Sequence, residues 1–306
     1  MTVPEMMYSS GRTFSYLECA NCGALNLLDV PADLSPFYPK TYHPPLDETV
    51  SRQQSLLLRF YSVRGTWSLV RPVVALVVPD RLSTVFWKFL RTNPRGPKGA
   101  SLLDVGCGNG ALLTQLAPLG FARMEGVDPY AEERALMGGK IVVRRGEIDD
   151  IAGKFDYVVL NHSIEHVVDP AHLLATVRGL LPEESAVLVR TPLADSTVFQ
   201  EYGRFWYGID PPRHIVVHTV RSMRLLAEKA GFETVEIIHD SGPEQFLRSE
   251  LALRGIPQEA VRDSDAMHAR LPDLTSRSGL RRLKKRSSEL NKSGKGGQAS
   301  FILRPR

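Results

Sequence analysis

The stretch Ser101-Leu-Leu-Asp104-Val-Gly106-Cys107-Gly108-Asn109-Gly110-Ala111 decides how this chain folds. Apolar residues run up to an aspartate, three glycines follow at alternate positions, and an apolar helical pattern begins. That order is a strand, a tight turn and a helix, with backbone amides at the helix start free to face an anionic group. Beyond it the pattern recurs: short apolar or β-branched runs at 124–128, 141–145, 155–160 and 186–190 are separated by helical segments, the signature of βαβ units and a parallel sheet. Asp169 before Pro170 can cap one helix, and Thr219 can cap another that stops at Gly231. Residues 232–238 and 300–303 read as two further strands, whereas 241–290 gives only a weak helical signal with a turn near Pro272.

What the turn holds is open from the glycines alone. Gly106-x-Gly108-x-x-Ala111 satisfies the dinucleotide fingerprint, and Asp128 stands near the spacing of a ribose-binding acid, so an NAD-dependent oxidoreductase is one reading. Asp104 argues for another. A carboxylate at the base of the loop repels a pyrophosphate but attracts the ammonium and sulfonium of S-adenosyl-L-methionine. Asp128, ending the next strand, then accepts both ribose hydroxyls. A third reading, a glycine turn that only permits close packing, leaves the two acids unexplained.

Several motifs in order resemble the class I methyltransferases of the ubiquinone-biosynthesis and sugar or natural-product type, from residue 100 to the end. They are Leu102-Leu-Asp104-Val-Gly-Cys-Gly-Asn-Gly110, Gly126-Val-Asp128-Pro, Gly146-Glu147-Ile148, the run from Phe155 through Asn161-His162-Ser-Ile-Glu165-His166 to Pro170, and Pro212-Arg213-His214. The resemblance implies an α/β, Rossmann-like fold with a mostly parallel seven-stranded sheet, helices on both faces and S-adenosyl-L-methionine as cofactor. It implies cofactor contacts from Asp104, Gly106, Cys107, Gly108, Asn109, Gly110, Asp128, Glu147, Ile148, Asn161 and His162, with Glu147 meeting the adenine. In those relatives a carboxylate stands where this chain has His162, and the Glu-His pair of that loop is linked to a divalent ion.

His162-x-x-Glu165-His166 also spells an inverted zinc-peptidase signature, but there it would lie on a helix, and the glycine turn would have no role. His214 falls beyond the fifth strand, where the rim of a pocket is expected. An imidazole, with an ordinary pKa of about 6.5, suits removal of a proton from a hydroxyl or activated carbon. His214 and His166 are therefore the candidate catalytic residues, beside a reading in which they only position loops. Tyr202, Phe205, Trp206 and Tyr207 are candidates to wall the acceptor site.

The 306 residues divide into a module at 1–48, a helical lead-in and linker at 49–99 and the α/β domain at 100–306. In the lead-in, Leu56, Leu57, Phe60, Leu69, Val73, Leu76, Leu82, Val85, Phe86 and Phe89 recur at helical spacing. Cys19-x-x-Cys22 resembles one knuckle of a zinc ribbon, and with Cys107 committed to the turn it offers half a zinc site, which His43 and a second subunit could complete, beside a reading in which the two cysteines sit in a turn without metal. No secretory signal and no apolar run of about 20 residues is present, so a cytoplasmic chain without a membrane span is expected. Of the net charge of +4, ten Lys and Arg against Glu289 alone fall in 277–306. That tail has one aromatic residue, Phe301, so a solvated basic face is expected rather than a nucleic-acid partner. The acceptor is expected to be a small molecule or glycan. A non-catalytic protein that keeps the cofactor fold is the remaining alternative.

Overall fold

The computed structural model describes residues 1–8, 10–39, 80–261 and 263–306. The lead-in positions at 56–76, the side chain of Leu82 and His43 lie outside the described residues. In chain order, strands β1 (Thr2–Pro4), β2 (Thr13–Glu18) and β3 (Leu25–Leu27) come first, then helix α1 (Asp80–Thr92), β4 (Ser101–Val105) and α2 (Ala111–Leu116). Next are β5 (Arg123–Asp128), β6 (Arg134–Leu136), β7 (Ile141–Arg145), β8 (Tyr157–Asn161), α3 (Pro170–Gly179), β9 (Ala186–Pro192) and α4 (Thr197–Tyr202). The chain closes with β10 (Val216–Val217), α5 (Val220–Lys229), β11 (Phe232–His239), α6 (Glu244–Leu253), α7 (Ser264–Arg270), α8 (Pro272–Thr275), α9 (Arg277–Lys292) and β12 (Gln298–Pro305).

The large sheet has eight strands in the order β11-β12-β9-β8-β4-β5-β7-β6. β7, β5, β4, β8 and β9 are mutually parallel, and β12 pairs antiparallel with both β9 and β11. The eighth strand, β6, is a three-residue antiparallel edge on β7 that the resemblance did not include. Alternation along each strand splits the core in two, because successive side chains leave opposite faces. Leu102, Tyr157, Val159, Leu188 and Ile302 pack with Phe86 and Phe89 of α1 and Leu113 of α2. Leu103, Val158, Leu160, Val187, Val189 and Phe301 pack with Leu174 and Val177 of α3 and Met223 and Ala227 of α5. The caps are where the sequence placed them: Asp169 accepts from the amides of Ala171 and His172, Thr219 from that of Ser222, and Gly231 takes φ +81° after α5.

The described amino-terminal residues pair and pack with later segments of the chain. β3 pairs antiparallel with β10, making a second sheet in the order β1-β2-β3-β10. Val3, Tyr16, Leu25 and Leu27 share one apolar cluster with Trp206, Val217, Phe246, Leu251 and Leu283. Residues 1–39 and the helices after β11 thus build one cap over the carboxyl edge of the large sheet. The basic tail presents a solvated basic face on a helix: Arg277, Arg281, Arg282, Lys284 and Lys285 of α9 are exposed, Leu283 and Ser287 turn inward, and Arg286, packed over the Phe246 ring, pairs with Glu201. No helix among the described residues is long and apolar enough to cross a membrane.

Candidate active site

The glycine turn is held tightly. Gly106 has φ +75°, and a Cβ there would lie 2.4 Å from Cβ of Ser163, so only glycine lets the β4 turn approach the β8 turn this closely. Its amide donates to the Val127 carbonyl at 2.8 Å. Gly110, at φ +85°, opens α2, and Asn109 accepts from the amide of Ala111. Cys107 is buried beneath the loop, and that burial pushes its thiol up out of the reactive range.

Asp128 is 8% exposed, and its carboxylate is clamped by two amides, Gly108 to Oδ2 at 3.0 Å and Tyr130 to Oδ1 at 2.8 Å. Asp104 is 2% exposed and pushed up to about 7, by burial first and then by the charge of Asp128. A buried acid next to a second acid wants a cation beside it. The ammonium and sulfonium that favoured S-adenosyl-L-methionine at this loop meet that need, so the residues present fit that cofactor.

A cavity of about 1610 Å³ opens beside the turn. Gly108, Asn109, Tyr130, His162, His166 and His214 all line it, so the first and last of the sequence motifs meet in one space. Trp206 and Tyr207 line it too, whereas Tyr202 and Phe205 pack against the apolar cap. The remaining predicted cofactor residues lie around the loop rather than on the cavity wall. Ile148 is a core residue that can offer only its backbone, Glu147 is exposed at the start of a single turn, and Asn161 accepts from Arg190 at 3.5 Å.

Glu165 organises the histidines. Its carboxylate is wholly buried, with Oε1 3.2 Å from His162 Nδ1 and Oε2 accepting from the Thr191 hydroxyl at 3.0 Å. Burial alone would raise its pKa, but the hydrogen bond and charge of His162, with His214 and His166, bring it down to about 2. His162 sits at φ +56°, a left-handed backbone unusual for a side chain of this size, with its amide bonded to the Arg190 carbonyl. His166 and His214 meet edge to face with centroids 4.7 Å apart. Burial and then His214 bring His166 down to about 4. Its Nδ1 lies 2.9 Å from the Arg213 carbonyl, which can only accept, so Nδ1 carries the hydrogen. His214 Nδ1 lies 2.9 Å from the Gly208 carbonyl, which fixes the same tautomer and leaves its Nε2 with a lone pair.

The amino-terminal cap supplies what the sequence reading missed. The Tyr16 hydroxyl donates to the His214 carbonyl at 2.7 Å, and the Tyr38 hydroxyl reaches His166 Nδ1 at 2.8 Å. Arg213, fully buried, is neutralised by Asp210 and donates to the Phe37 carbonyl at 3.2 Å. Only the alternating pattern of Thr13–Glu18, with Tyr16 facing inward, hinted at these contacts.

Two clusters have metal-ligating types. Glu165, His166 and His214 present ligand atoms within 4.8 Å of one another. Cys19 and Cys22 are free thiols that no third His, Cys, Asp or Glu joins among the described residues.

A family profile described as a methyltransferase domain matches residues 80–237. The ubiquinone biosynthesis O-methyltransferase of Caulobacter sp. (strain K31) is 32% identical over 162 residues, 47% of this chain and 63% of that protein. The enzyme of the same description from Azorhizobium caulinodans is 30% identical over 207 residues, 61% of this chain and 81% of that protein. The chain therefore spans a little under two thirds of the first of these relatives. Among solved structures, a geranyl diphosphate methyltransferase in complex with SAM aligns with a TM-score of 0.48 and 13% identity, over 81% of this chain and 95% of that one. The profile match extends over more than half of the chain, and the chain belongs to the class I S-adenosylmethionine-dependent methyltransferases.

Proposed function

We propose that this protein moves a methyl group from S-adenosylmethionine to an oxygen or carbon atom of a small-molecule or glycan acceptor, with His214 taking the proton. One observation carries the reading: a single cavity joins the glycine turn to three histidines. When bound, the cofactor supplies an electrophilic methyl group. Asp128, pre-set by its two amides, is placed for the ribose hydroxyls, and Asp104 supplies charge for the cofactor's cationic end. Glu147, Ile148 and Asn161 are assigned to the adenine and methionine ends through side chain or backbone.

His214 suits the proton better than His166 does. Its Nδ1 is tied to Gly208 and its Nε2 is left as the acceptor, while Tyr16 steadies the backbone beneath it. His166, held down to about 4, is neutral at pH 7 but a weak base, and its place between Arg213 and Tyr38 makes it a positioning residue. His162, oriented by the ionised Glu165, adds a second directed imidazole at the cofactor side of the cavity. Transfer itself depends chiefly on in-line placement, and the cap and the turn face one cavity in which it would be set.

Calorimetry with S-adenosylhomocysteine tests the cofactor assignment: Asp128→Ala should lose about 1.5–3 kcal/mol of binding if charge-assisted hydrogen bonds go. With an acceptor in hand, His214→Ala should slow turnover about 10²-fold while cofactor affinity holds. Full turnover in a folded His214→Ala protein would remove the base from the reaction.

A further inference from the structure

We propose that the methyl acceptor carries an anionic group, phosphate or carboxylate, held by Arg248 with the indole N–H of Trp206. This site rests on the methyltransferase reading above and names the class of its substrate. Both residues line the same cavity as the histidines, Arg248 from α6 and Trp206 from the turn that follows α4.

Trp206 is 1% exposed and its Nε1 has no hydrogen-bond partner. Buried N–H groups are almost always satisfied, so the orphan Nε1 of a residue that lines the cavity is a donor for which the protein supplies no acceptor. The ring has little freedom to find one in the protein. A Cβ on Gly208 would lie 2.3 Å from its Cζ2, one on Gly297 would lie 3.7 Å away, and Phe199 leans on it at 5.6 Å between centroids.

Arg248 is the second, independent observation. Its Nη1 donates to Gln258 Oε1 at 3.2 Å, and Gln258 Nε2 donates back to the Arg248 carbonyl at 2.8 Å, so the guanidinium is aimed by a two-point clamp. No carboxylate among the described residues lies within ion-pair distance of it, Glu259 on the same wall included. Arg213, by contrast, is neutralised by Asp210. A half-buried guanidinium with donors left over matches the planar, two-oxygen face of a phosphate or carboxylate. The two residues belong to one construction. The Tyr207 amide donates to Ser249 Oγ at 3.2 Å, which ties the Trp206 turn to the residue after Arg248. The amides of Gln258 and Glu259 donate to the carbonyls of Met6 and Met7 at 3.0 and 2.9 Å, which bind the clamp to the amino-terminal cap.

The test is titration of the S-adenosylhomocysteine-saturated protein with inorganic phosphate, acetate and chloride at constant ionic strength, followed by calorimetry and indole fluorescence. Saturable binding of phosphate or acetate with a dissociation constant of about 1–10 mM is expected. Arg248→Met should weaken it at least about tenfold, Arg248→Lys less, and Trp206→Phe by a few fold. Preference for phosphate over acetate assigns a phosphorylated acceptor, and the reverse assigns a carboxylate. If both anions behave as chloride does, or if Arg248→Met binds them as the parent protein does, the inference is overturned. Cofactor-product binding without an anion site would sink this inference alone, whereas a folded protein that binds no S-adenosylhomocysteine would sink the methyltransferase reading beneath it.

Discussion

The ring of Tyr38 stacks on that of Tyr130, with centroids 4.4 Å apart and planes 15° from parallel. Tyr130 lies two residues past Asp128 and gives its amide to that carboxylate, while the Tyr38 hydroxyl oxygen lies against the Nδ1–H of His166. One side chain of the amino-terminal cap thus touches both the cofactor acid's loop and the histidine cluster. An offset aromatic pair adds about 0.5–1.5 kcal/mol beyond its buried area. A double-mutant cycle on Tyr38→Ala and Tyr130→Ala in urea unfolding should return a coupling of that size, and strict additivity would show the stack to be idle. Tyr38→Phe keeps the stack and should cost only the hydroxyl contact, about 0.5–1.5 kcal/mol.

Asp104 makes cofactor binding pH-dependent. With its pKa raised to about 7 by burial and by Asp128, the carboxyl is largely protonated below that pH. Pairing with the cofactor's ammonium needs the ionised form, so binding should release a proton and affinity should rise as pH climbs from 6 to 8. Calorimetry in buffers of different ionisation enthalpy measures the released proton directly. Asp104→Asn should flatten the pH dependence; a profile unchanged by that substitution would place the titrating group elsewhere.

The histidines set a second window, at lower pH, this time for folding stability. His166 and His218 are both brought down to about 4, burial being the largest cause for each. The unfolded chain therefore binds more protons than the folded one between about pH 6.5 and 4, and stability should rise with pH across that interval. It is fully present above the unfolded value and lost as the pH falls through the folded one. Urea midpoints at pH 7, 5.5 and 4.5 check it: the decline should be shallower in His218→Gln, whose ring Nδ1 lies 3.3 Å from the Ser222 hydroxyl and whose Nε2 has no partner.

Much of this was legible because local rules and global packing agree in the α/β core. The strands at 101–105 and 141–145 ended where alternation and glycine said they would, and Asp169, Thr219 and Gly231 capped the helices they announced. Asp104 separated two cofactors on one fold because the sign of a buried charge is written in the residue itself. The cap was not legible. β3 and β10 are three and two residues long and lie almost two hundred positions apart, so no local period announces their pairing. Tyr16, Tyr38 and Arg248 acquire roles only through that long-range assembly. The helices of 241–292 were blurred because their inward faces serve this small cap, leaving α9 with mostly charged positions around Leu283.

The two clusters with metal-ligating side chains should behave differently from metal centres. Cys19 is held below the usual thiol range by the amides of Cys22 and Asn21, while burial pushes Cys22 up. Two thiols supply half of the four ligands that structural zinc takes, so the purified protein should carry far less than one zinc per chain, and Cys19→Ser should melt with the parent protein. At the other cluster, both oxygens of Glu165 already accept, from His162 and from Thr191. A cation there would also take the His214 lone pair that the proton needs. Dialysis against EDTA should therefore leave S-adenosylhomocysteine affinity unchanged and methyl transfer within about twofold, with no gain from added Mg²⁺. Transfer that disappears on chelation and returns with Mg²⁺ would make His214 a ligand instead of a base, and the proton would then have to leave through the metal-bound acceptor.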